Sequence, residues 1–202
     1  GLSIIAPPGS TFEENTGIVN DGSVVAGQWV TIGPFTSTSI WIAGTQVTAY
    51  NCSDVLGDGT ISYDYVTNTL TLDNANITSS ETYGIQTKMT KLKVELKGNN
   101  TVTTAEGIVG ARFQTGWGTG PITFFGGGTL DIKAGGTGLQ LLVDMVLTDG
   151  VKVSVESPSD YNGFQGRRGG DNPLPTLTMK GEGTEFRAKG GLTGSAVYIH
   201  AL

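Results

Sequence analysis

Val94-Glu95-Leu96-Lys97-Gly98-Asn99-Asn100-Thr101-Val102 sets two short strands of alternating apolar residues on either side of a small-residue bend. The same phrase recurs along the chain. Leu70-Thr71-Leu72 runs into Asp73-Asn74-Ala75-Asn76-Ile77, and Ile122-Thr123-Phe124 into Gly126-Gly127-Gly128-Thr129-Leu130. Met145-Val146-Leu147 runs into Asp149-Gly150-Val151-Lys152-Val153, and Leu177-Thr178-Met179 into Gly181-Glu182-Gly183-Thr184-Glu185-Phe186. A phrase repeated every few tens of residues is the mark of a solenoid, in which each unit buries its apolar face against the next.

Anchored on Leu72, Leu96, Phe124, Leu147 and Met179, the spacings are 24, 28, 23 and 32 residues. A second marker runs in step: Gly84-Ile85, Gly107-Ile108, Gly138-Leu139, Gly163-Phe164 and, more loosely, Gly194-Ser195-Ala196-Val197. Three short strands fit in such a rung, and no stretch of ten residues carries a helical apolar period. The reading is all-β, a single-stranded parallel β-helix of about five rungs over residues 39–202. A β-sandwich also has short strands and turns, but it does not require two markers in step.

Residues 1–38 do not share the repeat. Asn20-Asp21-Gly22, between Gly17-Ile18-Val19 and Ser23-Val24-Val25, predicts a hairpin. The segment is read as an N-terminal extension, either a cap over the open first coil or a tether. Residues 39–67 form a further section with period-2 alternation at Ile40-Trp41-Ile42 and Ile61-Ser62-Tyr63.

Composition narrows the function classes. Glycine, at 32 of 202 residues, has about twice its usual share and lacks a G-X-Y period. The formal charge of −6, with acids and bases interspersed, argues against nucleic acid and against docking on anionic lipid. No apolar run approaches the roughly 18 residues of a membrane span. A leader of basic then apolar residues is absent; a mature chain would lack one, so removal of a signal peptide or lipid anchor stays open. Cys52 is the single cysteine, which leaves neither an internal disulfide nor a thiolate metal cluster.

The stretch Trp41-Ile42-Ala43-Gly44-Thr45-Gln46-Val47-Thr48, then Asp54-Val55-Leu56-Gly57-Asp58-Gly59-Thr60-Ile61-Ser62-Tyr63-Asp64, then Thr67-Asn68-Thr69-Leu70-Thr71-Leu72-Asp73-Asn74-Ala75-Asn76-Ile77, resembles a family of bacterial secreted or surface proteins. These proteins are often labelled carbohydrate-binding-domain-containing and occur in gut anaerobes. Leu96 to Val102 and Gly126 to Ile132 are similar to the later repeats of that family. The resemblance covers residues 39–202. It implies a right-handed β-helix, secreted or at a bacterial cell surface, and carries over no catalytic residues.

Four sets of residues invite a chemical reading. Asn74, Asn76, Asn99 and Asn100 with the bend glycines could form a polar strip for a ligand, yet turn geometry alone explains them. Asp54, Asp58, Asp64 and Asp73 match no calcium loop, and no metal or cofactor is expected. His200, the only histidine, lies near the chain end without catalytic partners. The fourth set lies where the repeat is interrupted, between Val109 and Pro121 and between Glu156 and Pro175. Insertions in one sector of a solenoid share a face, often the binding face.

Those inserts carry Arg112, Phe113, Gln114 and Trp117 in one, and Tyr161, Asn162, Phe164, Gln165, Arg167, Arg168, Asp171 and Asn172 in the other. Aromatic platforms beside directional polar groups suit a sugar, and Arg167-Arg168 suit an acidic group on one. The candidate ligand-binding residues are therefore Arg112, Trp117, Tyr161, Phe164, Arg167, Arg168 and Asp171, with no catalytic set. The reading is a non-catalytic extracellular module that binds a polysaccharide or surface glycan. A structural or adhesive spacer is the alternative, and a polysaccharide lyase or hydrolase the second. Oligomerisation through the solenoid ends or the N-terminal segment stays open.

Overall fold

The computed structural model describes residues 2–7, 10–34, 37–114, 120–158, 160–167 and 174–200. They are all-β, with no helix among them. From Thr69 onward the chain winds through three parallel sheets, here called faces A, B and C, visited in that order in every coil. Face A stacks Thr69–Asp73, Lys93–Lys97, Ile122–Phe125, Met145–Leu147 and Leu177–Met179. Face B stacks Asn76–Ser79, Asn99–Glu106, Thr129–Gly135, Lys152–Glu156 and Glu185–Lys189. Face C stacks Tyr83–Thr87, Val109–Phe113, Leu139–Leu141, Phe164–Arg167 and Val197–His200. The result is a β-solenoid of about four turns, close to the five rungs counted from the sequence.

Inward residues form columns because every strand alternates sides with period 2. Leu70, Val94, Phe124 and Leu147 make one column on face A, and Ile77, Val102, Ile132 and Val155 one on face B; all eight are buried. On face C the column is Ile85, Ala111, Leu139 and Phe164. Phe113 and Phe124 meet edge to face at 5.5 Å and join two coils across the core. Burial of each such side chain is worth about 2 kcal/mol.

Two of the sequence anchors prove out of register. Val94, not Leu96, stands opposite Phe124. A slip of two residues leaves an alternating pattern unchanged, so alternation alone cannot detect it. The second marker also moves, since Ile85 pairs with Ala111 and the glycine in step is Gly110. Gly107 belongs to the preceding turn, at φ 76°.

The first coil is covered by antiparallel strands from residues 40–64. Ile40–Ile42 pairs with Tyr83–Thr87 on face C, and Ile61–Asp64 pairs with Thr69–Asp73 on face A. Ile40, Ile42, Ile61 and Tyr63 close the core beneath them. Tyr63 also donates its phenol to Asn68 Oδ1 at 2.7 Å. The predicted hairpin is present, Gly17–Asn20 against Ser23–Val24. The strands of residues 2–34 pair only with one another, in two small antiparallel sheets.

The bends between faces A and B are held by their own residues. Asn100 is fully buried and bonds to three coils: its Oδ1 accepts from Ala75 N at 2.8 Å, and its Nδ2 donates to Lys97 O at 3.1 Å and Thr129 O at 3.0 Å. Asn74 adopts φ 54° and accepts from Asn99 N. Turn geometry thus accounts for these asparagines. The aspartates near the cap do the same locally. Asp54 accepts from Gly57 N and Asp58 N, and Asp64 from Val66 N and the Thr67 hydroxyl. The Thr60 hydroxyl, and then its N–H, hold the Asp58 carboxyl below its usual value. No cluster of His, Cys, Asp or Glu among the described residues is arranged to hold a metal ion.

Candidate functional site

Face C carries an outward column without carboxylates, whereas the outward positions of faces A and B include Glu95 and Asp131. Gln86, Arg112, Gln140 and Gln165 occupy successive register positions, and Trp41 of the capping strand stands opposite Gln86. From Trp41 to Gln165 the column is half-buried, one residue per strand. At ~4.8 Å between strands that distance is ~19 Å.

The column is built by the glycines that precede it. Gly84, Gly110, Gly138 and Gly163 open the face C strands, two residues before each outward polar residue. Their φ values are not positive, so space is what demands glycine. A Cβ on Gly84, Gly110 or Gly138 would lie 2.5, 2.6 or 2.4 Å from the carbonyl oxygen of the next glycine in the stack. The space left by each missing Cβ is filled by Val102, Ile132 or Val155 of face B. Corner, core and outward residue are thereby fixed in one register.

Several contacts orient the column. Gln140 Nε2 donates to Gln165 Oε1 at 3.1 Å, which leaves the Gln140 carbonyl and the Gln165 amide N–H groups at the two ends of the pair. Arg112 Nη1 donates to the Tyr83 hydroxyl at 2.6 Å, and its guanidinium carbon lies 5.5 Å from that ring. Arg112 Nε is buried and has no hydrogen-bond partner. Lys88 Nζ sits 5.6 Å from the Trp41 ring. Trp41, Gly44, Glu81, Thr82, Tyr83 and Gln86 line a pocket of about 120 Å³ at the capped end.

The residues singled out from the sequence are dispersed. Arg112 lies on the column itself, on a strand and not in an insert. Phe164 is a correction: its register position faces inward, it is 5% exposed, and it packs edge to face on Phe186 at 5.4 Å. It holds the core and offers nothing to a ligand. Phe113, buried at 2%, is the same case. Tyr161 belongs to the connection from face B to face C. Arg167 is exposed at the end of its face C strand. Trp117, Arg168 and Asp171 lie outside the described residues.

Two larger grooves lie elsewhere. One of about 430 Å³ includes Glu106, Lys133 and Glu156, and one of about 310 Å³ on face B includes Asp131, Lys152, Glu185 and Arg187. Part of their charge is already paired. Lys189 meets Glu156 at 2.5 Å, and Glu185 lies 3.3 Å from Lys152 and 2.7 Å from Arg187. Lys189 holds the Glu156 carboxyl, and Lys152 the Glu185 carboxyl, below the usual range. Ser154 donates to Asp131, and the Thr101 and Thr129 hydroxyls to Asn76 and Asn99. Face B is an interlocked ladder; face C keeps unused donors and acceptors.

Trp41, Tyr83, Gln86 and Gln140 were not among the residues singled out from the sequence, and Gln165 was named only among the insert residues. Their signal is the triplet glycine–apolar–polar, in Gly84-Ile85-Gln86, Gly110-Ala111-Arg112, Gly138-Leu139-Gln140 and Gly163-Phe164-Gln165. No protein-family model, curated protein or solved structure matches this chain, so the functional reading rests on the geometry of face C.

Proposed function

We propose that the protein is a non-catalytic glycan-binding module, secreted or at a cell surface, that holds an extended oligosaccharide along face C. The observation that carries this is the outward column of Gln86, Arg112, Gln140 and Gln165, closed at one end by Trp41. Primary amides present a donor and an acceptor from one group, as sugar hydroxyls require. An aromatic ring supplies a platform for the C–H face of a pyranose. A row ~19 Å long gives room for several rings in line. Glycoside hydrolysis asks for two carboxyl groups flanking one bond. The outward strand positions described on face C hold none. The extracellular placement is supported by the family resemblance.

The full chain on a glycan array, followed by calorimetry on the hits, tests this. Gln140→Ala with Gln165→Ala, and separately Trp41→Ala, should weaken binding at least tenfold at an unchanged melting temperature. The side chains removed point outward, so the fold is spared. A chain that binds no glycan would instead act as a stiff spacer, a reading that the interlocked ladder of face B supports.

A further inference from the structure

We propose that the ligand of face C is acidic, and that Arg112 receives one of its oxyanions, a uronate carboxylate or a sulfate ester. This rests on the glycan-binding reading above and names the class of glycan. Arg112 stands midway along the column, between Gln86 and Gln140. Its Nη1 is committed to the Tyr83 hydroxyl, and that bond fixes the plane of the guanidinium beside the ring. The opposite edge, Nε with Nη2, has no partner among the described residues, and Nε is shielded from water as well.

A guanidinium edge with two parallel N–H groups is the complement of a planar oxyanion, which it binds in bidentate fashion. A buried N–H left unmatched is unfavourable, and an oxyanion that reaches this edge as the side chains covering Nε part removes that penalty. The described ion pairs give Arg112 no carboxylate. Charge is distributed to the same end. The chain carries −6 overall, yet the strands of face C bear Arg112 and Arg167 and no carboxylate. The amides on either side of Arg112 would then read hydroxyls of the same polymer, one strand away in each direction.

Calorimetry on the full chain decides the matter with three probes: a panel of uronate oligomers, the same oligomers after carboxyl reduction, and a sulfated oligosaccharide on a neutral backbone. Uronate or sulfated chains should bind at least tenfold more tightly than the reduced ones, and the better of the two identifies the oxyanion. Arg112→Gln should bring acidic ligands to the level of neutral ones. Arg112→Lys, a point charge without the fork, should recover only part of the difference. Tyr83→Phe removes the hydroxyl that orients the fork while keeping the ring, and should weaken acidic ligands several-fold. Melting temperatures identify any variant that fails to fold, and Tyr83→Phe then carries the test. Equal binding of acidic and neutral glycans, with Arg112→Gln silent and Gln140→Ala still harmful, overturns the acidic ligand and leaves glycan binding standing. Absence of binding to every probe and to the array removes both.

Discussion

Gly110 of the second coil lies so close to Gly138 of the third that a Cβ on Gly110 would fall 2.6 Å from the Gly138 carbonyl oxygen and 2.3 Å from Ile132 Cγ2. Backbone cannot give way as a flexible side chain can. Gly110→Ala should therefore destabilise the fold by about 3 kcal/mol. Gly57 offers the opposite case, with φ 79° and open space around its missing Cβ, so Gly57→Ala should cost about 1 kcal/mol through backbone strain alone. Urea unfolding of both variants compares the two; equal losses would show that crowding at the corner is not what requires glycine.

Asn100 should be among the most sensitive polar positions. Asn100→Ala removes three hydrogen bonds and strands the Ala75 N–H in a dry bend. A loss of about 3 kcal/mol follows, larger than for an exposed asparagine. Hydrogen exchange adds a local readout, since the Ala75 amide should lose protection first. Unchanged protection there would refute the role given to the side chain.

Phe164 and Tyr161 separate core from surface. Phe164→Ala should cost about 3 kcal/mol, as deletion of a buried ring does. Tyr161→Ala, at a partly exposed corner, should stay within about 0.5 kcal/mol. Thermal denaturation ranks the pair, and the reverse order would return Phe164 to the surface.

The ladder on face B should respond to acid. Glu156 and Glu185 are held below the ordinary glutamate value of 4.5 by their lysine partners. Carboxyls depressed in the folded state contribute stability above that value, and lose it as pH falls through it toward the folded value. The melting temperature should accordingly decline below about pH 4.5. Lys152→Gln with Lys189→Gln should flatten the decline, and so should added salt. An NMR titration in which both glutamates keep their low values in the double variant would remove the lysines as the cause.

Residues 1–36 should be dispensable for the solenoid, because their described strands pair only among themselves. Deleting them should leave the melting temperature nearly unchanged. Deleting residues 1–67 removes Ile40–Ile42 and Ile61–Asp64 with the buried side chains they carry, and should give aggregation through the exposed edges. Size-exclusion chromatography distinguishes the two; aggregation of the shorter deletion would assign the first segment a structural part.

What the sequence made legible follows from what period-2 alternation encodes. Strand content, the coil repeat and the bends at Asn74, Gly98 and Gly126 were readable because turn chemistry and inward columns are local signals. Register was not. Leu96 and Val94 both face inward, and only the hydrogen bonds between coils put Val94 opposite Phe124. The cap was displaced for a similar reason, as Ile40-Trp41-Ile42 has the look of any other strand until its antiparallel partner is known. Of the candidate site, Arg112 was found among the insert residues although it stands on a strand. Gln165 was named only as an insert residue and Gln86 and Gln140 gave no signal, because a polar outward residue acquires meaning only when others stack above and below it.

The antiparallel strands over the first coil also bear on the order of folding. Coil-to-coil partners such as Ala75 and Asn100, or Asn100 and Thr129, are separated by 25 and 29 residues. Closure of each new turn therefore needs only a short loop and a finished neighbour to template it. Residues 40–64 pair with the first coil alone, so a chain emerging from the ribosome can complete its blunt end before the second coil is added. Growth then proceeds in one direction, as a zipper whose starting stop is made first.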